Sequence, residues 1–456
     1  MRLPVPLCLG FVLLVTPPVL TVAAPLGTRT VLENGAILLV AERTGVPMVV
    51  MTILLKSGAM ADPADRAGLA NLTAELLTRG TKQHSAQALA EALDFLGASL
   101  HVDADYETTT ISLTTLTKNL EAACALLSEV LLSPTFPEEE FERKRKEMQG
   151  RLQSREEDPG WVAQRAFLQT LYPQHPFGRL IEGDARTLTA ITRADVAQFH
   201  QTYYRPNNAI IALVGDITHA QAVKLLQTHF TQWHPADIPP TVWSAQRQGT
   251  AERITLDKKV SQANVLLGHE GIARANKDYY AVLLMNYILG GGGFGSRLMD
   301  RIREELGLVY NISSYFSVRR HPGPFLISLQ TKNANATYAV SEVLQVIRQF
   351  VEQGPSEQEL VAAKSYYINS FPLRLVSNRD VAALLPVIEF YELGLDYPDR
   401  YPELIGQVTR EQVHAAAKTY LHPDRLLQVI VADLTQANLA PSRPTGSQQG
   451  TTYGGP

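Results

Sequence analysis

The chain has 456 residues, 45% of them hydrophobic and 19% charged, which is room for two or three ordinary domains with proper cores. Its formal net charge of −4 leaves no basic footprint for nucleic acid, so no such partner is expected.

The N-terminus reads as an export signal over residues 1–24. Met1 and Arg2 give a short positive start, residues 7–15 an apolar core far too short to span a bilayer, and residues 21–24 the small side chains of a cleavage site after Pro18. Cys8 lies inside that apolar core, not after it, which argues against lipid attachment. Cys124 is then the one cysteine of the mature chain, so neither an internal disulfide nor a cysteine metal cluster is expected. Nothing later is long and apolar enough for a transmembrane anchor, and the expected location is periplasmic or secreted.

After the signal, strands are predicted over 28–32 and 36–41 around the turn Glu33, Asn34, Gly35, then over 46–56. Helices over 66–79 and 86–96 end at Gly80 and Gly97, and alternating strands follow over 99–105 and 108–116. Three helices (118–132, 138–155, 159–171), a loop over 172–179, a helix over 193–203 and an apolar strand over 209–214 complete the first half. Residues 233–253, rich in Pro, Gln and polar side chains, read as a linker. The order then repeats: a strand (262–268), helices (278–289, 294–306), strands (308–318, 324–331), helices (336–352, 357–368, 380–392, 410–420) and a last strand (426–432).

Each half closes on a helix, a Tyr-containing turn with proline (Tyr204, Arg205, Pro206; Tyr420, Leu421, His422, Pro423) and an apolar strand. This points to a duplicated α+β fold, with domains at 25–235 and 256–436, a linker at 236–255 and a disordered tail at 437–456.

One stretch carries candidate chemistry. Gly290, Gly291, Gly292 and Gly293 open a charged amphipathic helix that Gly307 ends before an extended segment. Arg303 offers a forked cation near the helix end and Tyr310 a phenol just beyond it. Both can grip a peptide carbonyl or carboxylate; equally they suit a surface arginine and a half-buried strand tyrosine. Gly290, Gly292 and Gly295 also satisfy the dinucleotide fingerprint, but a helical pattern precedes them and no acidic residue follows in 310–320, which excludes that reading.

Three passages resemble the insulinase and mitochondrial-processing-peptidase (pitrilysin) family of zinc peptidases, over residues 30–434. Residues 68–81 are similar to the family's zinc helix, G-L-A-H-F-L-E-H-M-L-F-K-G-T; His175 to Gly178 with Tyr203 to Asp216 match the close of its first domain; residues 290–310 match its second-domain stretch, with Arg303 and Tyr310 at the family's substrate-gripping positions. The resemblance implies two homologous α/β-roll domains that form a clamshell.

The zinc motif itself is degenerate. Where the family has H-x-x-E-H, this chain has Asn71, Ala74 and Glu75, and near Gly150 and Arg151, the place of the third ligand, there is no carboxylate. No two of the eleven histidines stand four apart, so no metal is expected in this chain. Some family members work as heterodimers, one subunit bearing zinc and its sister only the Arg/Tyr pair. The resemblance therefore implies a zinc-free, substrate-binding subunit of a heteromeric metallopeptidase, with peptide as substrate and Zn²⁺ in a sister chain. The alternative is a non-enzymatic binding or assembly protein with the same fold. An active stand-alone peptidase would need ligands that the sequence does not supply.

Overall fold

A computed structural model describes residues 26–240, 243 and 251–440. The expected export signal over 1–24 and the part of the expected tail beyond residue 440 lie outside the described residues.

The first half carries strands β1 (Thr28–Val31), β2 (Ile37–Glu42), β3 (Met48–Leu55), β4 (Ser99–Ala104), β5 (Thr109–Leu116) and β6 (Ala209–Gly215). Its helices are α1 (Leu69–Leu76), α2 (Ala86–Phe95), α3 (Leu120–Leu132), α4 (Glu138–Arg155), α5 (Pro159–Leu171), α6 (Ala185–Ala190), α7 (Arg193–Tyr203) and α8 (His219–His229). The second half carries β7 (Glu252–Asp257), β8 (Gln262–Glu270), β9 (Val309–Phe316), β10 (Pro324–Lys332) and β11 (Leu427–Ala432). Its helices are α9 (Tyr279–Asn286), α10 (Ala336–Gln353), α11 (Glu357–Ser370), α12 (Asn378–Phe390), α13 (Tyr397–Gly406), α14 (Arg410–Tyr420) and α15 (Leu434–Ala437).

The sheets run β1-β2-β6-β3-β5-β4 and β7-β11-β8-β10-β9. Strand for strand they match: one parallel pair in each (β2 with β6, β7 with β11), the rest antiparallel. The duplication read from element order is thus a duplication of topology, with β1 the one addition. In both sheets the edge on the hairpin side, β4 or β9, has no strand beyond it among the described residues.

The central strands are apolar because both faces are covered. One face of each sheet packs on the helices of its own half, with Leu38, Met51 and Leu213 in the first core and Val265, Ile327 and Ile430 in the second. The other face is covered by a helix from the opposite half. Val381, Ala382 and Leu385 of α12 lie on Leu39, Val50 and Ile210 of the first sheet, while Ala163 and Phe167 of α5 lie on Leu266, Val429 and Val431 of the second. Hairpin tips add polar ties: Arg319 pairs with Asp105, the Glu107 carboxylate accepts the Arg320 and His321 N–H groups at 3.0 and 3.1 Å, and Tyr172 donates to the Pro322 carbonyl at 3.1 Å. The two domains are therefore interlocked.

Several expectations need correction. α8 occupies residues before the linker where no helix was expected, and β7 begins at Glu252, inside the stretch read as linker. Trp243 of that stretch packs beside His175 and over the Arg179 guanidinium, so this point is anchored to the first domain. At the other end Ala437 closes α15 and Leu439 packs on the second core, so the ordered chain runs past residue 436. α13 was not expected, and it carries two prolines: Pro398 sits in its first turn, where proline is tolerated, and Pro402 lies inside it. The helix expected over 294–306 is interrupted: Gly293–Gly295 form a 3-10 turn, and the chain is π-helical over Met299–Glu305.

Candidate functional site

The degenerate zinc helix is well built as a helix. The buried Asp62 carboxylate accepts the N–H groups of Gly68 and Ala70, each at 2.9 Å, and so caps the N-terminus of α1. Burial pushes that carboxyl up to about 8, against the pull of its N–H donors and of Arg179. Asn71 and Ala74 are buried at 9% and 1% exposure. One turn on, Glu75 is bound from α4: Lys144 Nζ stands 3.0 Å from one carboxylate oxygen, and Arg151 pairs with the other. Lys144 also meets Glu147 at 3.2 Å.

Arg151 thus fills the place expected for a third ligand, and it pairs with Glu75. Lys144 had not been anticipated. A metal does not fit this residue set: the remaining carboxylate is saturated by two cations, and neither Asn71 nor Ala74 supplies an imidazole. Among the described residues no group of three or more His, Cys, Asp or Glu side chains is placed to hold a metal. Burial, with Asp105, Glu182 and Glu75 near by, holds the neighbouring Asp103 carboxyl above its usual range.

The Arg/Tyr stretch is irregular backbone throughout. α9 runs into a π-helical turn, Tyr287–Gly291, whose Gly290 has no room for a side chain: a Cβ there would stand 2.6 Å from Ser314 Oγ. Asn286 donates to the Ser314 carbonyl at 3.1 Å and so fastens this turn to β9. The close neighbours of Gly290, Gly291 and Gly292 are therefore residues of this chain, whereas Gly293, at φ +62°, faces open space. Beyond the loop, the π-helical segment carries Arg303 near its end. Such segments and β-bulges recur where a side chain is re-aimed for function.

A bulge does this for Tyr310. Leu329 pairs with Ile312 and Thr331 with Val309, so Tyr310 and Asn311 share the single place opposite Gln330. Tyr310 is turned out of the core and is 84% exposed. The Arg303 guanidinium lies over its ring at 5.8 Å and over the Phe294 ring at 4.7 Å, and pairs with Glu304. The structure thus brings Arg303 and Tyr310 together, and adds Phe294, 70% exposed, which sequence reasoning passed over. Its place inside a glycine run, where no core demands an aromatic, was the available signal.

Comparison with known proteins gives this arrangement its family. The family model described as insulinase (peptidase family M16) matches residues 38–185, and that described as peptidase M16 inactive domain matches residues 190–367. A solved peptidase M16 inactive domain from Pseudomonas fluorescens is 30% identical and superposes with a TM-score of 0.84, covering 93% of this chain and all (100%) of that one. The chain belongs to the M16 family. Among its M16 relatives, the non-peptidase homolog YmxG of Helicobacter pylori is 29% identical over 77% of this chain and 80% of its own. The uncharacterized zinc protease ML0855 of Mycobacterium leprae is 27% identical over 86% of this chain and 89% of its own. The duplicated α+β fold is that of the M16 neighbours. No helix among the described residues is long and apolar enough to cross a membrane.

Proposed function

We propose that this chain is the zinc-free, substrate-binding subunit of an exported heteromeric M16 metallopeptidase acting on peptides or unfolded segments. The observation that carries the reading is the asymmetry between the two motifs. Glu75 is committed to Lys144 and Arg151, while a bulge turns Tyr310 out to solvent with the half-buried Arg303 guanidinium lying over its ring. A zinc-bearing sister subunit polarises the scissile carbonyl, and this chain supplies the other wall of the chamber. Arg303, through a charge-assisted bond, and Tyr310, through its hydroxyl, anchor the peptide backbone or the developing oxyanion.

Two further features support it. The exchanged helices fix the two domains to each other, so a chamber needs a second chain to close it. The free edge of β4 offers main-chain groups to an extended peptide. The signal-like residues 1–24 support export to the periplasm or outside the cell.

The test is turnover of a fluorogenic peptide by the mature chain, alone and mixed with a sister carrying H-x-x-E-H. Silence alone with activity in the mixture, lowered sharply by Arg303→Ala or Tyr310→Phe, is expected. Unchanged turnover in both variants refutes the assigned roles. The second reading, a non-enzymatic binding or assembly protein, is favoured by the name of the Helicobacter pylori relative. It predicts silence in the mixture as well.

A further inference from the structure

One cation of the second domain stands apart from the ion pairs described above. Arg274 lies between β8 and α9, and its guanidinium is stacked over the Tyr279 ring at 3.8 Å, with the Tyr280 and Tyr397 rings at 5.7 and 6.0 Å. Its Nη2 donates to the Tyr397 hydroxyl at 3.4 Å, and among the described residues no carboxylate comes within ion-pair distance of it. Stacking uses the face of the guanidinium. Its N–H groups lie in the ring plane, and most of them are left without a strong acceptor.

The surroundings are donors as well. Phe371 stacks on Tyr401 at 4.0 Å and so brings the turn Phe371–Leu375, with Arg374, to the same cluster of rings. Arg374 has no ion pair among the described residues. Burial pushes the Tyr279 and Tyr401 phenols up, and the charged side chains that act most on them are Arg274 and Arg374, not a carboxylate. The phenols therefore stay protonated and keep a proton to donate. Tyr401 is only 4% exposed, yet its hydroxyl and those of Tyr279 and Tyr367 find no hydrogen-bond partner among the described residues. The acids nearest in sequence are engaged elsewhere: Asp278 accepts from the Tyr420 hydroxyl at 2.8 Å, and Asp396 pairs with Arg400 at 2.7 Å.

We infer that Arg274, Arg374 and the tyrosines between them form a site for a small tetrahedral oxyanion, phosphate or sulfate. Two guanidinium groups balance a dianion, and donors from α9, α11, α13 and the two connecting segments match an ion with oxygens on every side. Chloride and acetate present too little charge or too few oxygens to use them all. A bound oxyanion ties the segment before α9 to α13 and to the Phe371–Leu375 turn, and so stabilises the second domain. The inference is independent of the substrate-binding reading.

The experiment is thermal unfolding and calorimetric titration of the full mature chain in sodium phosphate, sulfate, acetate or chloride at equal ionic strength. Phosphate or sulfate at about 10 mM is expected to raise Tm by about 2 °C or more over chloride, and to titrate to one site per chain. Arg374→Ala, at an exposed position where folding is not at stake, weakens the ion about fivefold or more. Tyr401→Phe keeps the stacked ring and removes only an unbonded hydroxyl, and it weakens the ion about threefold or more. Arg348→Ala, at an exposed arginine on α10, leaves the affinity unchanged. Equal Tm in all four salts, no heat of binding at millimolar phosphate and sulfate, or full affinity in both Arg374→Ala and Tyr401→Phe overturns the inference.

Discussion

Replacing Glu75 with glutamine removes the carboxylate that ties α1 to α4, and its cost follows from the geometry. Lys144 has only 8% of its side chain exposed and loses the counter-charge 3.0 Å away, while Glu147 remains at 3.2 Å. Breaking a buried pair from one side costs about 3–5 kcal/mol. The surviving partner and the 20% exposure of Glu75 reduce that to about 2–3 kcal/mol. Arg151, 45% exposed, turns to solvent and adds less than about 1 kcal/mol. For a cooperative unit of about 200 residues the loss lowers Tm by roughly 4–12 °C. Glu75→Gln with Lys144→Met removes the stranded charge and recovers the wild-type midpoint to within about 1 kcal/mol. The assay is chemical and thermal unfolding of the mature chain, with saturating EDTA leaving the wild-type Tm unchanged. A Glu75→Gln protein that melts within about 1 °C of wild type, or a double variant worse than the two single losses added, would falsify the view that this ion pair holds the former zinc helix.

Burial holds His175, His200 and His269 neutral, their pKa values pushed down to about 4. The unfolded chain takes up protons below about 6.5 where the folded chain does not, so stability is full above that pH and is lost as pH falls towards 4. His200→Gln should flatten the urea-midpoint profile in that window, and an unaltered slope would count against burial as the cause. Phe167→Ala, at a fully buried ring joining α5 to the second sheet, should cost about 3–5 kcal/mol in urea unfolding, and a loss under about 1 kcal/mol would mean the exchanged helix is not a structural tie. Burial pushes the Cys124 thiol up to about 12, so thiol reagent at pH 8 should label it only at the rate of unfolding; prompt labelling of the native protein would contradict its core position.

The elements with strong local signals were legible. The Asn34, Gly35 turn, the all-apolar β6 and helices that open on capping residues, such as Ser377 with Asp380 and Thr409 with Gln412, follow from periodicity and side-chain chemistry. What was not legible depends on contacts between distant segments. Lys144 sits in a run of four consecutive cations, Arg143 to Lys146, and nothing local says which of them turns inward to Glu75. The exposure of Tyr310 comes from one extra residue opposite Gln330, which strand alternation cannot register. Nor does the pattern of α5 or α12 reveal that each covers the other domain's sheet: an apolar stripe states that a helix must be buried, and leaves open against what.

That exchange sets a condition on biogenesis. The outer face of the first sheet, with Leu39, Val50, Leu54 and Ile210, stays bare until Asn378–Phe390 has been synthesised and can dock. A ribosome-bound first half therefore carries an uncovered apolar surface through most of translation and cannot complete its fold early. On the proposed reading as an exported chain the delay is useful, because the element that completes the first domain arrives near the end of the polypeptide.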